Sequence, residues 1–208
     1  MHTATDSKTS PRPTVIFDLG GVLVDVDFLD ACARFAVDGK VRAGAVRDAI
    51  TDGKEKIAFD TGRLSAQQFA THFCGSLGMG LPYTEFAEIW CDIFTEKREV
   101  TGLLDEIGKH ADLMLLSNTD PLHLDYIRRH FGFLEKFGRL VLSYEIGYVK
   151  PAPQIYQRAI SLCAPGSRMI YFDDVPEFVI AARECGLPAE HFVDAAKLRS
   201  DLERFGVL

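Results

Sequence analysis

The sequence has little to offer the chemistries that depend on cysteine or histidine spacing. Its five cysteines, Cys32, Cys74, Cys91, Cys163 and Cys185, are odd in number and include no C-x-x-C pair. That argues against a disulfide framework and a zinc knuckle and fits reduced thiols in a cytosol. His72, His110, His123, His130 and His191 fall at no metal-ligand spacing and are expected on surfaces or helix ends, with His123 placed to reach a crevice entrance. No window approaches the roughly 18 uninterrupted apolar residues of a membrane span. Residues 1–13, MHTATDSKTSPRP, lack the apolar stretch of a secretory signal and predict a disordered lead-in. Positive charge is also short: 23 Lys and Arg stand against 30 Asp and Glu, a formal net charge of -7. This disfavours nucleic-acid or anionic-membrane partners and leaves small metabolites. No internal repeat or low-complexity segment is present, and 208 residues suffice for one core plus a small accessory domain.

What the chain does contain is a set of short apolar runs, each ending in polar or acidic residues: TVIFD, DLMLLSN, RLVLSYE and RMIYFDD. Runs of this length match strands buried on both faces of a sheet. Between the last three, apolar residues recur at helical spacing, Leu122, Tyr126 and Ile127, then Ile155, Ala159 and Ile160. Pro121 and Pro153 stand where a first helical turn tolerates the missing N–H. This alternation predicts a parallel α/β sheet. Residues 28–97 have no comparable run and predict short helices punctuated by glycines. One is opened by a Ser65–Gln68 capping box; another, from about Thr84, carries Phe86, Ile89, Trp90 and Phe94 on one side.

Ligands of open parallel sheets sit beyond the carboxyl ends of the strands. Asp18, Ser117-Asn118 and Asp173-Asp174 all project there. Phosphoryl transfer needs such a convergence of nucleophile, charge neutralisation and positioning groups. The same residues resemble, in order and over nearly the whole chain from about residue 14, the four motifs of the haloacid dehalogenase superfamily. VIFD carries Asp18, LLSNT carries Ser117, GYVKPAPQIY carries Lys150, and YFDD carries Asp173 and Asp174. The segments FDLGGVLVDVDF and SNT are most similar to small bacterial phosphatases acting on glucose 1-phosphate and related sugar phosphates.

The resemblance implies a Rossmann-like parallel-sheet core over 14–27 and 98–208 with an inserted all-helical cap over 28–97. It implies Mg²⁺-dependent hydrolysis of a small phosphate monoester through an aspartyl-phosphate on Asp18. Asp18, the Gly20 carbonyl, Asp174 and, through water, Asp173 would hold Mg²⁺, a hard cation that takes oxygen ligands. Ser117 and Asn118 would bind the transferring oxygens, and Lys150 would set a positive charge against the pentacoordinate state. The implied partner is a small phosphorylated metabolite, with neither nucleic acid nor membrane, and the implied setting is a cytoplasmic monomer or weak homodimer.

Two positions depart from the pattern, and the first bears on the chemistry. Phosphatases of the superfamily usually carry a second aspartate two residues after the nucleophile, which protonates the leaving group and then activates water. Here that position is Gly20. General acid–base catalysis is worth about 10² to 10⁴ in rate. Three explanations stay open: a leaving group that departs unprotonated, as an anomeric oxygen can; a substitute acid, Asp25 or Asp27; or loss of turnover with retained ligand binding. Dehalogenases and phosphonatases of the superfamily also lack that aspartate. Metal-free dehalogenation leaves the Asp173-Asp174 pair without a use, and a phosphonatase Schiff base would require Lys54 or Lys56, for which a helix surface is the ordinary role. Phe178, where relatives often carry asparagine, leaves one hydrogen bond unassigned.

Overall fold

The computed structural model describes residues 11–36, 41–51 and 53–208. Its strands are β1 (Thr14–Phe17), β2 (Val24–Val26), β3 (Phe94–Glu96), β4 (Asp112–Ser117), β5 (Arg139–Leu142), β6 (Met169–Asp173) and β7 (Ala189–His191). Five of them form one sheet in the order β5-β4-β1-β6-β7, and every pairing in it is parallel. The four apolar runs are β1, β4, β5 and β6, as their composition predicts. The edge strand β7 is only three residues, Ala-Glu-His, too short and polar to stand out in the sequence.

The period-two alternation of side chains divides the sheet between two cores. Val15, Phe17, Leu113, Leu115, Ile170 and Phe172 face one cluster, into which helices Leu104–His110, Pro121–His130 and Ala195–Phe205 pack. Ile16, Met114, Leu116 and Tyr171 face the other, against helices Pro153–Leu162 and Pro176–Glu184. A sheet covered on both faces explains why its strands are continuously apolar rather than alternating.

The chain leaves this sheet after β1 and returns before β4. In between, β2 and β3 pair antiparallel, Val24 opposite Glu96 and Val26 opposite Phe94, and form a neck. Beyond the neck lie helices Phe28–Phe35, Ala43–Thr51, Lys54–Asp60, Ala66–Ser76 and Tyr83–Cys91. Their shared core is aromatic: Phe35, Phe59, Phe69, Phe73, Phe86 and Trp90 are buried together. The Ser65–Gln68 capping box forms reciprocally, at 2.9 and 3.3 Å. The helix expected from Thr84 stops at Cys91, however, and Phe94 lies in β3 instead. Pairing with β2 outweighs the helical spacing that Phe94 completes.

Of the expected lead-in, residues 1–10 lie outside the described residues. Arg12 is held by the carbonyls of Gly108 and Ala111, at 2.8 and 3.1 Å, so the last part of that segment is tied to the end of the helix that precedes β4. Cys32, Cys74, Cys91 and Cys163 are buried free thiols and Cys185 is half-buried. No helix among the described residues is long and apolar enough to cross a membrane.

Candidate active site

β1 is flanked by β4 on one side and β6 on the other, which makes its carboxyl end the point where the chain winds away in both directions. Open parallel sheets form a crevice at such a point. Asp18 follows the last residue of β1, Ser117 ends β4 and Asp173 ends β6. All three are buried. Carboxylate oxygens of Asp18, Asp173 and Asp174 lie within 4.8 Å of one another.

Lys150 enters from the loop after β5, with its side chain fully enclosed. Its Nζ donates to Asp18 Oδ1 at 2.9 Å, to Asp173 Oδ2 at 2.7 Å and to the Tyr171 hydroxyl at 3.0 Å. Its three protons are thereby assigned. The Phe178 ring covers the same ammonium at 4.9 Å from its centroid, a cation–π contact where a hydrogen-bonding side chain was the expectation. Asn118 fixes the lysine from behind: its Oδ1 accepts from the Lys150 backbone N–H at 2.7 Å and its Nδ2 donates to the Lys150 carbonyl at 3.1 Å. Only one Asn118 proton is then left for a ligand. Ser117 Oγ makes a single long bond, 3.4 Å to the Asn118 carbonyl, and faces the cleft.

The three acids are not equivalent. Asp173 Oδ2 takes bonds from Lys150 and from the Tyr171 hydroxyl, while its Oδ1 takes the Val175 N–H at 2.8 Å. Both of its oxygens are therefore engaged by the protein. Asp174 is half-buried and lies against Gly21, whose φ of +72° is open to glycine; a Cβ built there would stand 2.1 Å from Asp174 Oδ2. Lys97 pins this turn by donating to the Gly21 carbonyl at 2.8 Å and pairing with Asp25 at 3.1 Å.

Burial pushes the Asp18 carboxyl up to about 7, against the pull of Lys150 and with a further push from Asp173. Burial and then Asp173 raise Asp174 as well. Burial works against the Lys150 ammonium, but Asp18 and Asp173 outweigh it and raise its value. Lys150 pairs with two of the three carboxylates, and Lys97, the other ammonium near Asp174, is paired with Asp25, so the cluster is short of positive charge. Its donors are all oxygen, which suits a hard divalent cation such as Mg²⁺.

The cleft has a volume of about 460 Å³ and includes Asp18, Gly20, Ser117, Asn118, Lys150 and Asp174 in its walls. Asp25, Val26, Phe28, Lys56, Phe94 and His123 also line it. Asp27 is elsewhere engaged: its Oδ1 caps the Phe28–Phe35 helix through the Asp30 N–H at 2.9 Å. His123 is buried, not on a helix surface. Its Nδ1 meets Asp120 Oδ2 at 3.0 Å and its Nε2 the Trp90 carbonyl at 2.8 Å. Asp120 also accepts from Trp90 Nε1 at 3.1 Å. Burial would raise the Asp120 carboxyl, but the charge and hydrogen bonds of His123 hold it down at about 2.

A parallel sheet that gathers acids, a hydroxyl and a buried lysine at its central strand ends, beneath an inserted helical unit, defines an α/β protein whose cleft suits a cation and an anionic ligand. The family is then specific: residues 13–186 match the model of the haloacid dehalogenase-like hydrolases, and the chain belongs to that family. Among its relatives is a D-ribitol-5-phosphate phosphatase of Bacteroides thetaiotaomicron, 27% identical over 198 residues that cover 90% of this chain and 95% of the relative. The fold is shared with a HAD family enzyme of the same organism solved with magnesium and inorganic phosphate, at a TM-score of 0.79 and 20% identity over 90% of this chain and 98% of that one. It is shared with a HAD-like hydrolase of Porphyromonas gingivalis, at 0.77 and 24% over 94% and 99%. An L-2-haloacid dehalogenase of Xanthobacter autotrophicus is more distant, at 0.62 and 15% over 94% and 84%.

Proposed function

We propose that this protein is a Mg²⁺-dependent phosphatase of small sugar or polyol phosphates, with glucose 1-phosphate as one candidate substrate. The observation that carries this is the Asp18–Asp173–Asp174 cluster, with Lys150 bonded to two of its members. The ribitol-phosphate relative supports the substrate class.

Asp18, the Gly20 carbonyl and Asp174 would hold the metal. Asp173, with both oxygens already bonded, acts through Lys150 and through water. Mg²⁺ held there would neutralise phosphoryl charge and orient the ester. Lys150 keeps one Asp18 oxygen in place and presents its charge to the phosphoryl oxygens, which the Ser117 hydroxyl and the remaining Asn118 N–H also meet. An Asp18 oxygen attacks phosphorus, the bond to the leaving oxygen breaks with its electron pair staying on that oxygen, which departs as an oxyanion and takes its proton from water, and the phosphoryl group rests on Asp18 as a mixed anhydride. Attack of water on that phosphorus releases inorganic phosphate and restores the carboxylate.

Phosphate release from a panel of sugar and polyol phosphates, with and without Mg²⁺, tests this. Wild-type protein should be active only with the metal, and Asp18→Asn should lose at least about a thousandfold, as loss of a covalent nucleophile does. Equal activity of the two proteins refutes the proposal and favours a ligand-binding role. Release of halide from 2-haloacids, or of phosphate from phosphonates but not from esters, would instead identify the other chemistries of the superfamily.

A further inference from the structure

We propose that Lys56 is the specificity-determining residue of the insert, donating a hydrogen bond to a hydroxyl on the uncharged part of a sugar or polyol monophosphate. This rests on the phosphatase chemistry proposed above and adds to it which end of the substrate the insert reads.

Helix Lys54–Asp60 directs Lys56 into the cleft that holds Asp18 and Lys150. The side chain is only 14% exposed, so the expectation of an ordinary helix-surface lysine fails for this residue. Both oxygens of Asp60, one turn on and equally enclosed, accept from its Nζ. The ammonium stands 5.7 Å from the centroid of the Trp90 ring, and Trp90 is in turn fastened to Asp120 and His123. The far end of the helix is fixed as well. Gly62, at φ +69°, comes so close to the core that a Cβ there would lie 2.2 Å from the Tyr144 carbonyl oxygen. Lys56 is thus a positioned group and not a mobile one.

A buried ion pair seldom adds stability over apolar residues of the same size. A lysine–aspartate pair beside Val26, Phe28 and Phe94 in the cleft lining therefore asks for a use. Its charge is already matched by Asp60, so it is poorly suited to a second phosphate. An ammonium has three protons; Asp60 engages at most two of them, which leaves at least one for the cleft. Both ring nitrogens of His123 are engaged by Asp120 and a carbonyl. Asp25, on the rim and paired with Lys97, offers an acceptor only. One neutralised donor among apolar surfaces suits the carbon chain and hydroxyls of a polyol.

The test compares kcat/KM for ribitol 5-phosphate and for p-nitrophenyl phosphate, whose leaving group has no hydroxyl to bind, in wild type, Lys56→Met and the charge-neutral double variant Lys56→Met/Asp60→Asn. Methionine keeps the stem over Trp90, and the double variant avoids leaving Asp60 buried and unpaired. The ratio of the two kcat/KM values should fall roughly tenfold to a hundredfold in both variants, the effect of one lost charge-assisted hydrogen bond. An equal fall for both substrates, an unchanged ratio, or wild-type preference for a sugar bisphosphate over the matching monophosphate would overturn the assignment. Absence of Mg²⁺-dependent turnover of either ester by wild type would instead overturn the phosphatase chemistry itself.

Discussion

Replacing Gly20 by aspartate puts the missing acid to a direct test. Gly20 does not occupy the left-handed region, and a Cβ built on it meets only the Val26 Cγ2 methyl, at 3.3 Å. Val26 is half-buried and lines the cleft, so a shift of a few tenths of an ångström suffices, at a cost of about 1 kcal/mol as mild overpacking. The new carboxyl would enter the cleft beside Asp18. If protonation of the leaving group limits wild-type turnover, Gly20→Asp should accelerate esters with poor leaving groups. A recovery of roughly tenfold to a hundredfold, reaching only the bottom of the range for general acid–base effects, corresponds to about 1.4 to 2.7 kcal/mol of barrier. The assay is kcat/KM against leaving-group pKa, from p-nitrophenyl phosphate through glucose 1-phosphate to glucose 6-phosphate. The wild-type slope should be steep and that of Gly20→Asp shallow, with the two proteins converging at the aryl ester. Parallel slopes would refute the idea that the absent acid restricts the substrates.

Three further outcomes follow from contacts around the cleft. Gly21→Ala forces a methyl onto Asp174 and strains a positive φ; Mg²⁺ affinity measured by calorimetry should drop more than tenfold while the circular dichroism spectrum is kept. Tyr171→Phe removes the hydroxyl that Lys150 and Asp173 share, and urea unfolding should show a loss of about 1–3 kcal/mol, that of a buried hydrogen bond to charged partners. Asp120 is held at about 2 against an ordinary value of 3.8. Its contribution, roughly 2 kcal/mol, is complete above the ordinary value and disappears as pH falls through the folded one. Asp120→Asn should therefore flatten the stability loss between about pH 4 and 2; an unchanged acid limb would show that His123 does not stabilise the ionised form.

The sheet and its strand-end groups were legible because continuous apolar runs and N-terminal prolines act locally: TVIFD can be little other than a doubly buried strand delivering Asp18. The short neck was not, since Phe94 fits a helical face and only pairing with β2, some seventy residues earlier, makes it a strand. The burial of Lys56 and His123 is hidden for a related reason. A helical residue's spacing says which neighbours share its face, but not whether that face meets solvent or another unit. Tyr171 reads as one more apolar strand position, and its role depends on the hydroxyl meeting Lys150. Asn118 was assigned to the substrate, yet most of its amide is committed to the Lys150 backbone, which sequence proximity to Ser117 could not reveal.

The imbalance at the strand ends also dictates an order of events. On the proposed chemistry, an acid-rich cleft with Asp18, Asp173 and Asp174 together would bind a phosphate dianion poorly by itself, and metal loading would come before the ester settles. Ligand effects on melting temperature should then be synergistic. Phosphate alone should leave the transition where it is, and phosphate with Mg²⁺ should raise it beyond the effect of Mg²⁺ alone; magnesium supply would then govern how much of the protein can engage its substrate.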